Sequence, residues 1–141
     1  MRLLLIHVES LHYEAKIDTP IAVEIEEEER EREFGESLLV LYTTERQDEA
    51  NPERSAELAS LEIENYMSKI GDKPVILFPF AFLVSREEKS SSETAAKMGK
   101  LLRTAIGGTR VSAVPFGWYK KFSITSMGHK YAVHSARVMP D

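Results

Sequence analysis

Two runs that are apolar on both faces, "SLLVLYTTE" (residues 37–45) and "KPVILFPFAFLV" (residues 73–84), flank one well-punctuated helix signal, and this block constrains the fold most. A short, continuous apolar run with no alternation reads as a strand covered on both sides. The first run is therefore expected to be a central strand. The second is a buried strand that ends at Pro79, because proline has no N–H to give to a ladder. Between them lies "NPERSAELASLEIENYMSKIG", with Asn51 as cap, Pro52 at the first helical position, Glu53 in the first turn and Gly71 as the stop. Its apolar stripe is Ala56, Ala59, Ile63, Tyr66 or Met67, and Ile70, which leaves Glu62 and Glu64 to solvent. A second helix is predicted in "SSSETAAKMGKLLRTAIGG", capped by Ser91 or Ser92, burying Met98, Leu101, Leu102 and Ala105, and ended by Gly107-Gly108.

Upstream, "RLLLIHVE" reads as a buried strand, and "SLHYEAKI" alternates Leu11, Tyr13, Ala15 and Ile17 as a half-buried strand should. A short connection near Glu9 and Ser10 makes the two a hairpin or one long bent strand. The run "VEIEEEEREREF", Val23 to Phe34, reads as a solvated loop or exposed helix end. Downstream, "RVSAVPFG", "YKKFSITSM" and "KYAVHSARVM" read as strands, the last two joined by a tight turn at Met127-Gly128-His129-Lys130. The order is strands, helix, strand, helix, strands: a mixed α/β layer with two main helices. At 141 residues it is expected to be one domain, residues 1–141.

With no cysteine, the chain has neither disulfides nor thiolate zinc sites. No apolar run approaches the roughly 20 residues of a membrane helix. The start "MRLLLIHVES" reads as a strand rather than a targeting peptide, so a cytoplasmic home and no membrane partner are expected. The net charge of −5 is unevenly spread. The first 94 residues hold 22 acids against 10 bases, whereas Ala95 to Pro140 has no Asp or Glu and eight bases: Lys97, Lys100, Arg103, Arg110, Lys120, Lys121, Lys130 and Arg137. Such asymmetry has two readings, an anionic partner or opposite faces that pair with one another.

Phosphate-loop, dinucleotide-turn and nucleophile-elbow motifs are all missing. The four histidines, His7, His12, His129 and His134, are not at metal spacings; His129 and His134 are close enough in sequence to approach across a turn. Two such ligands fall short of the three that a catalytic zinc needs, so no metal or cofactor is expected. What remains is two strands ending in Pro-Phe corners. Pro79 and Pro115 end sheet pairing and free neighbouring backbone groups, Phe80 and Phe116 would wall a cleft there, and Tyr119 and Lys120 follow. Alternation sends Tyr119 and Lys120 to opposite faces unless a bulge at Gly117 intervenes. The residues themselves leave two uses open: core packing with Lys120-Lys121 guarding an edge strand, or a basic, aromatic-lined cleft.

"MRLLLIHVESLHYEAK", "DEANPE", "ILFPFAFLV" and "VPFGWYKKFSI…GHKYAVHSAR" together resemble, over nearly the whole chain, the N-terminal editing domain of archaeal threonyl-tRNA synthetases. The resemblance implies a D-aminoacyl-tRNA deacylase-like fold with a dimeric, barrel-like core. It implies hydrolysis of the ester in L-seryl-tRNA(Thr) while L-threonyl-tRNA(Thr) is spared, with the acceptor end of tRNA(Thr) as partner and a catalytic synthetase domain in cis or in trans. On the family pattern Lys120 lies beside the scissile ester. Phe116, Gly117 and Tyr119 belong to the pocket wall, Pro79 and Ala81 hold the amino acid through main-chain atoms, and Thr44 faces them. Phe82 stands where the family commonly has His, and Val133 where it often has Glu. In the family, backbone groups and the terminal 2′-hydroxyl are thought to do most of the work, so the departures bear on side-chain roles at those two positions. Lys121, Lys97, Arg110 and Lys130 are the expected tRNA-binding cations. Two rivals stand beside this reading: a non-catalytic tRNA-binding appendage, and a D-aminoacyl-tRNA deacylase, whose Ser-Gln-x-Thr-Leu and Gly-Pro-x-Thr segments are missing here.

Overall fold

The computed structural model describes residues 1–107 and 110–141. The two N-terminal apolar segments form one strand, β1 (Arg2–Asp18), and β2 (Glu31–Phe34) and β3 (Ser37–Thr43) follow. Then come α1 (Pro52–Ile70), β4 (Val75–Pro79), α2 (Ser92–Ile106), β5 (Val111–Ala113), β6 (Trp118–Ser126) and β7 (Val133–Arg137). Of the two options for the first segment, the bent strand is the one realised. Val8 pairs with Ser126 and Ser10 with Thr125, so Glu9 is an extra residue opposite β6. A bulge bends a strand and resets which side chains face the core. Accordingly Val8, with Leu4 and Ile6, shares a cluster with Leu11 and Tyr13.

β1 is the axis of the sheet. On one edge it pairs antiparallel with β3 and then β2 in unbroken register, Val8 opposite Ser37 and Leu11 opposite Phe34. On the other edge it pairs with β7 through Arg2–Ile6 and with β6 through Val8–Asp18. The strands β6 and β7 thus follow one another along β1 and do not form a hairpin; residues 127–132 connect them. β3, β4 and β5 run parallel, each joined to the next by a helix. Seven residues of β3 are buried, as a central strand requires.

α1 begins as its sequence dictates: the Asn51 side chain accepts the Arg54 N–H at 3.2 Å, with Pro52 in the first turn. Its buried stripe is Ala56, Ala59, Ile63 and Tyr66, with Met67 and Ile70 partly covered. α2 is capped by Ser91, buries Met98 and Leu102, and ends at Gly107 with φ 72°; Gly108 lies outside the described residues. Both helices pack on one face of the sheet, against Leu3, Leu5, Leu38, Val40 and Tyr42. The opposite face carries Leu39, Leu41, Ile76, Phe78 and Val114.

The acidic run departs from expectation. It is a 3-10 turn at Glu27–Glu29 followed by the paired strand β2, because β1 extends far enough to template it. His12 reaches Glu31 at 2.7 Å, the Tyr13 hydroxyl donates to the Glu29 carbonyl at 2.7 Å, and the Arg32 guanidinium lies 4.5 Å from the Phe34 ring centre. His129 meets His7 (2.7 Å between ring nitrogens) and not His134, which stacks on Tyr66. No described helix is long and apolar enough to cross a membrane.

Candidate active site

A cavity of about 520 Å³ opens where β3 and β4 end. Sites at the carboxyl ends of parallel strands are a general consequence of α/β topology, because the backbone groups beyond the last ladder bond are free there. Pro79 has no N–H, so pairing between β3 and β4 stops at Tyr42 opposite Pro79. The chain beyond it is held by Thr43, whose hydroxyl donates to the Phe80 carbonyl and accepts the Leu83 N–H at 3.2 Å. The Phe80 N–H also reaches the Tyr42 carbonyl at 2.9 Å. On the other side the Ser90 N–H binds the Thr44 carbonyl at 3.0 Å. The wall is thus a set of tied backbone segments.

The opposing wall is the second Pro-Phe corner. Gly117 has φ 83°, and a Cβ there would lie 2.5 Å from the Ala22 Cα, so only glycine fits. The close approach is locked: the Thr19 N–H and hydroxyl both donate to the Gly117 carbonyl, the Val23 N–H donates to the Phe116 carbonyl, and the Trp118 Nε1 donates to the Val23 carbonyl. Beyond this corner β1 carries a second bulge, at Lys16 between the Ala15–Lys120 and Ile17–Tyr119 pairs, and opposite it both Tyr119 and Lys120 of β6 line the cavity.

Lys120 is partly buried. Its Nζ donates to the Trp118 carbonyl at 2.6 Å and the Pro115 carbonyl at 3.1 Å, and sits 5.5 Å from the Phe78 ring centre. Burial lowers its pKa from 10.5 to about 8. A lysine ammonium has three N–H bonds. Two are occupied here, and the third is free for a group in the cavity. In the neutral amine the same two carbonyls take both N–H bonds, and the lone pair remains.

The structure brings Thr44, Pro79, Ala81, Phe82, Phe116, Gly117, Tyr119 and Lys120 together around one cavity. Phe82 is 69% exposed, packed edge-on against Phe80 and 5.5 Å from the Lys89 Nζ. Val133 is not brought in: β7 pairs it with Ile6 on the far half of β1, and it does not line the cavity. Of the expected tRNA-binding cations, none lines the cavity. Lys97 lies two residues beyond Ala95 on the end of α2 that does, and Lys121 follows Lys120 in β6. Arg110 precedes β5 at the opposite end of the parallel strands, and Lys130 lies in the connection past the far end of β6. Residues that sequence reasoning missed include Arg86, Lys89, Trp118 and Tyr42. Among the described residues the wall has three cations, Arg86, Lys89 and Lys120, and neither a carboxylate nor a histidine.

A seven-stranded mixed sheet with two helices on one face and a cavity at the strand ends defines an α/β domain. It superposes on a structure titled as a probable eukaryotic D-amino acid tRNA deacylase with a TM-score of 0.66 at 12% identity, covering 96% of this chain and 97% of that one. A c-Myc DNA unwinding element binding protein gives 0.65 at 13% identity, covering 98% and 99%. At such identities the likeness is one of fold. The family model for the archaea-specific editing domain of threonyl-tRNA synthetase matches residues 1–138, and the chain belongs to that family. It is 39% identical over 142 residues to the threonine–tRNA ligase of Methanosarcina barkeri, covering all of this chain and 22% of that protein. The chain therefore spans about a fifth of its relative.

Proposed function

We propose that this domain hydrolyses the ester of L-seryl-tRNA(Thr) and spares L-threonyl-tRNA(Thr). The observation that carries the reading is the cavity wall: tied backbone, one partly buried lysine with a free valence, and no carboxylate or histidine among the described residues. A site reading threonine's hydroxyl accepts serine too, since one methyl is worth only about 1–3 kcal/mol. A second pocket too small for the methyl solves the problem, and its walls must be rigid. Backbone pinned by Thr43 and by the Gly117–Ala22 contact is rigid in that sense.

In the reaction a water oxygen attacks the carbonyl carbon, the bond from that carbon to the ribose oxygen breaks, and the ribose oxygen takes a proton, giving free serine and tRNA. The Lys120 ammonium donates its third N–H to the oxygen that becomes negative, an interaction worth about 3–4 kcal/mol where a single such donor has been removed. With no acidic or imidazole side chain among the described lining residues, the attacking water is positioned by main-chain groups and by the terminal 2′-hydroxyl of the substrate. Arg86 and Lys89 at the rim suit the phosphates of an RNA end. The relative's greater length supports a catalytic synthetase domain in cis, and the family resemblance supports a homodimer.

The test is deacylation of L-seryl-tRNA(Thr) and L-threonyl-tRNA(Thr) by this chain. Rapid loss of serine with threonine retained supports the reading. Binding of tRNA without hydrolysis of either ester overturns it and leaves a docking module.

A further inference from the structure

Tyr42 is 3% exposed, yet it lines the cavity. Its neighbour across the ladder is Pro79, and its side chain belongs to the helix-side core, whereas Phe78 and Phe122 line the cavity from the opposite face. The cavity therefore straddles the strand ends. One arm runs past Phe78 and Phe122 to Lys120, and the other runs between Tyr42 and the start of α2, at Ser92 and Ala95.

The tyrosine hydroxyls of the interior are otherwise satisfied. Tyr13 donates to the Glu29 carbonyl and Tyr66 to the Tyr131 carbonyl. No hydrogen bond ties the Tyr42 hydroxyl to another described residue, and burial alone pushes its pKa up. A hydroxyl without a protein partner, on a residue that lines a cavity, has its donor and its acceptor available to a ligand. α2 makes room for this one. Gly99 stands opposite, and a Cβ there would lie 3.2 Å from the Tyr42 hydroxyl oxygen.

We infer that Tyr42 is a substrate-binding residue, its hydroxyl holding a neutral hydroxyl of the aminoacyl-nucleoside in the helix-side arm. The inference rests on the editing reading above. The chemistry of the arm selects the ligand group. Tyr42 stays un-ionised, so it offers one donor and one acceptor, the complement of an alcohol. No carboxylate among the described lining residues would hold an ammonium there. Two alcohols of the substrate qualify, the seryl side chain and the ribose 2′-hydroxyl. If Tyr42 holds the seryl hydroxyl, it contributes to specificity as well as affinity, because a site built to pair a hydroxyl rejects the analogue that lacks it.

Binding of non-hydrolysable 3′-amide analogues by calorimetry separates these cases. Tyr42→Phe should weaken the seryl-3′-amino-adenosine amide roughly tenfold, the loss expected for one hydrogen bond. If the seryl hydroxyl is held, wild type and variant bind the alanyl amide equally. If the ribose hydroxyl is held, the loss persists with the alanyl amide and vanishes with the 2′-deoxy seryl amide. Gly99→Ala, which crowds the hydroxyl while favouring the helix, should weaken the seryl amide without lowering Tm. Equal binding of the seryl amide by wild type and Tyr42→Phe overturns the inference and leaves the editing reading standing, as does an equal loss with every analogue. Failure of the wild type to bind any of the amides overturns the editing reading itself, and the inference with it.

Discussion

Replacing Gly117 by alanine separates a conformational requirement from a steric one. Gly117 (φ 83°) and Gly128 (φ 73°) both lie in left-handed backbone, so an alanine pays the left-handed penalty at either, about 1–2 kcal/mol. Their surroundings differ. An added Cβ at Gly128 meets nothing within 4 Å, whereas at Gly117 it meets the Ala22 Cα at 2.5 Å and the Ala22 nitrogen at 2.8 Å. Backbone cannot turn aside as a flexible side chain does, so residues 19–23 must move and strain their bonds to Phe116 and Gly117. Overpacking of this kind costs about 1–3 kcal/mol. Gly117→Ala should therefore lose about 2–5 kcal/mol and Gly128→Ala about 1–2 kcal/mol in urea unfolding, with similar m values. The displaced corner also carries Phe116 and Tyr119, so Gly117→Ala should lose deacylation under conditions where it remains folded, and Gly128→Ala should keep it. Equal destabilisation by the two substitutions would refute the claim that the Ala22 contact shapes the cavity wall.

Three further outcomes follow from the same geometry. Thr43→Val removes the hydroxyl that serves both the Phe80 carbonyl and the Leu83 N–H, so it should cost about 1–3 kcal/mol by denaturant unfolding. Hydrogen exchange should quicken at Leu83 while the amides of β3 keep their protection. If the ammonium of Lys120 is the working form, the enzymatic rate, corrected for spontaneous ester hydrolysis, falls as pH rises through about 8; a rate that climbs through the same region would assign the lone pair instead. Stability moves the other way. The folded value lies below 10.5, so between about 8 and 10.5 the unfolded chain binds the lysine proton more fully, and wild type gains stability relative to Lys120→Met as pH rises through that window. Parallel unfolding curves for the two proteins across it would contradict the burial of Lys120.

Several of these features are legible in the sequence alone. Asn51, Pro52 and Gly71 mark the ends of α1 because capping chemistry is local, and Pro79 ends β4 because its missing N–H is a property of the residue alone. The corner at Pro115 to Lys120 is equally conspicuous. Tyr42 is not: inside "LLVLYTT" it reads as one more core residue, and its place on the cavity and opposite Gly99, 57 residues later, is set by tertiary packing. β2 is hidden inside an acidic run because it exists only by pairing with Leu11–Glu14 of β1, a long-range fact. Arg86 and Lys89 flank two glutamates in Ser85–Ser90, and no local pattern ties that stretch to the cavity. The bulges at Glu9 and Lys16 escaped for the same reason, since an extra residue exists only relative to the partner strand. Val133 fails to reach the cavity because β7 docks on the half of β1 remote from Tyr119, a registry that no local pattern specifies.

The central claim is that the cavity at the ends of β3 and β4 is a hydrolytic site in which Lys120 acts on the reacting ester. Single-turnover deacylation of L-seryl-tRNA(Thr) by wild type and Lys120→Met, with tRNA affinity measured alongside, tests it most directly. The account predicts a fall of about a hundredfold or more in the single-turnover rate, the scale of losing one oxyanion donor, with tRNA affinity changed less than about twofold. Equal rates in the two proteins would contradict it.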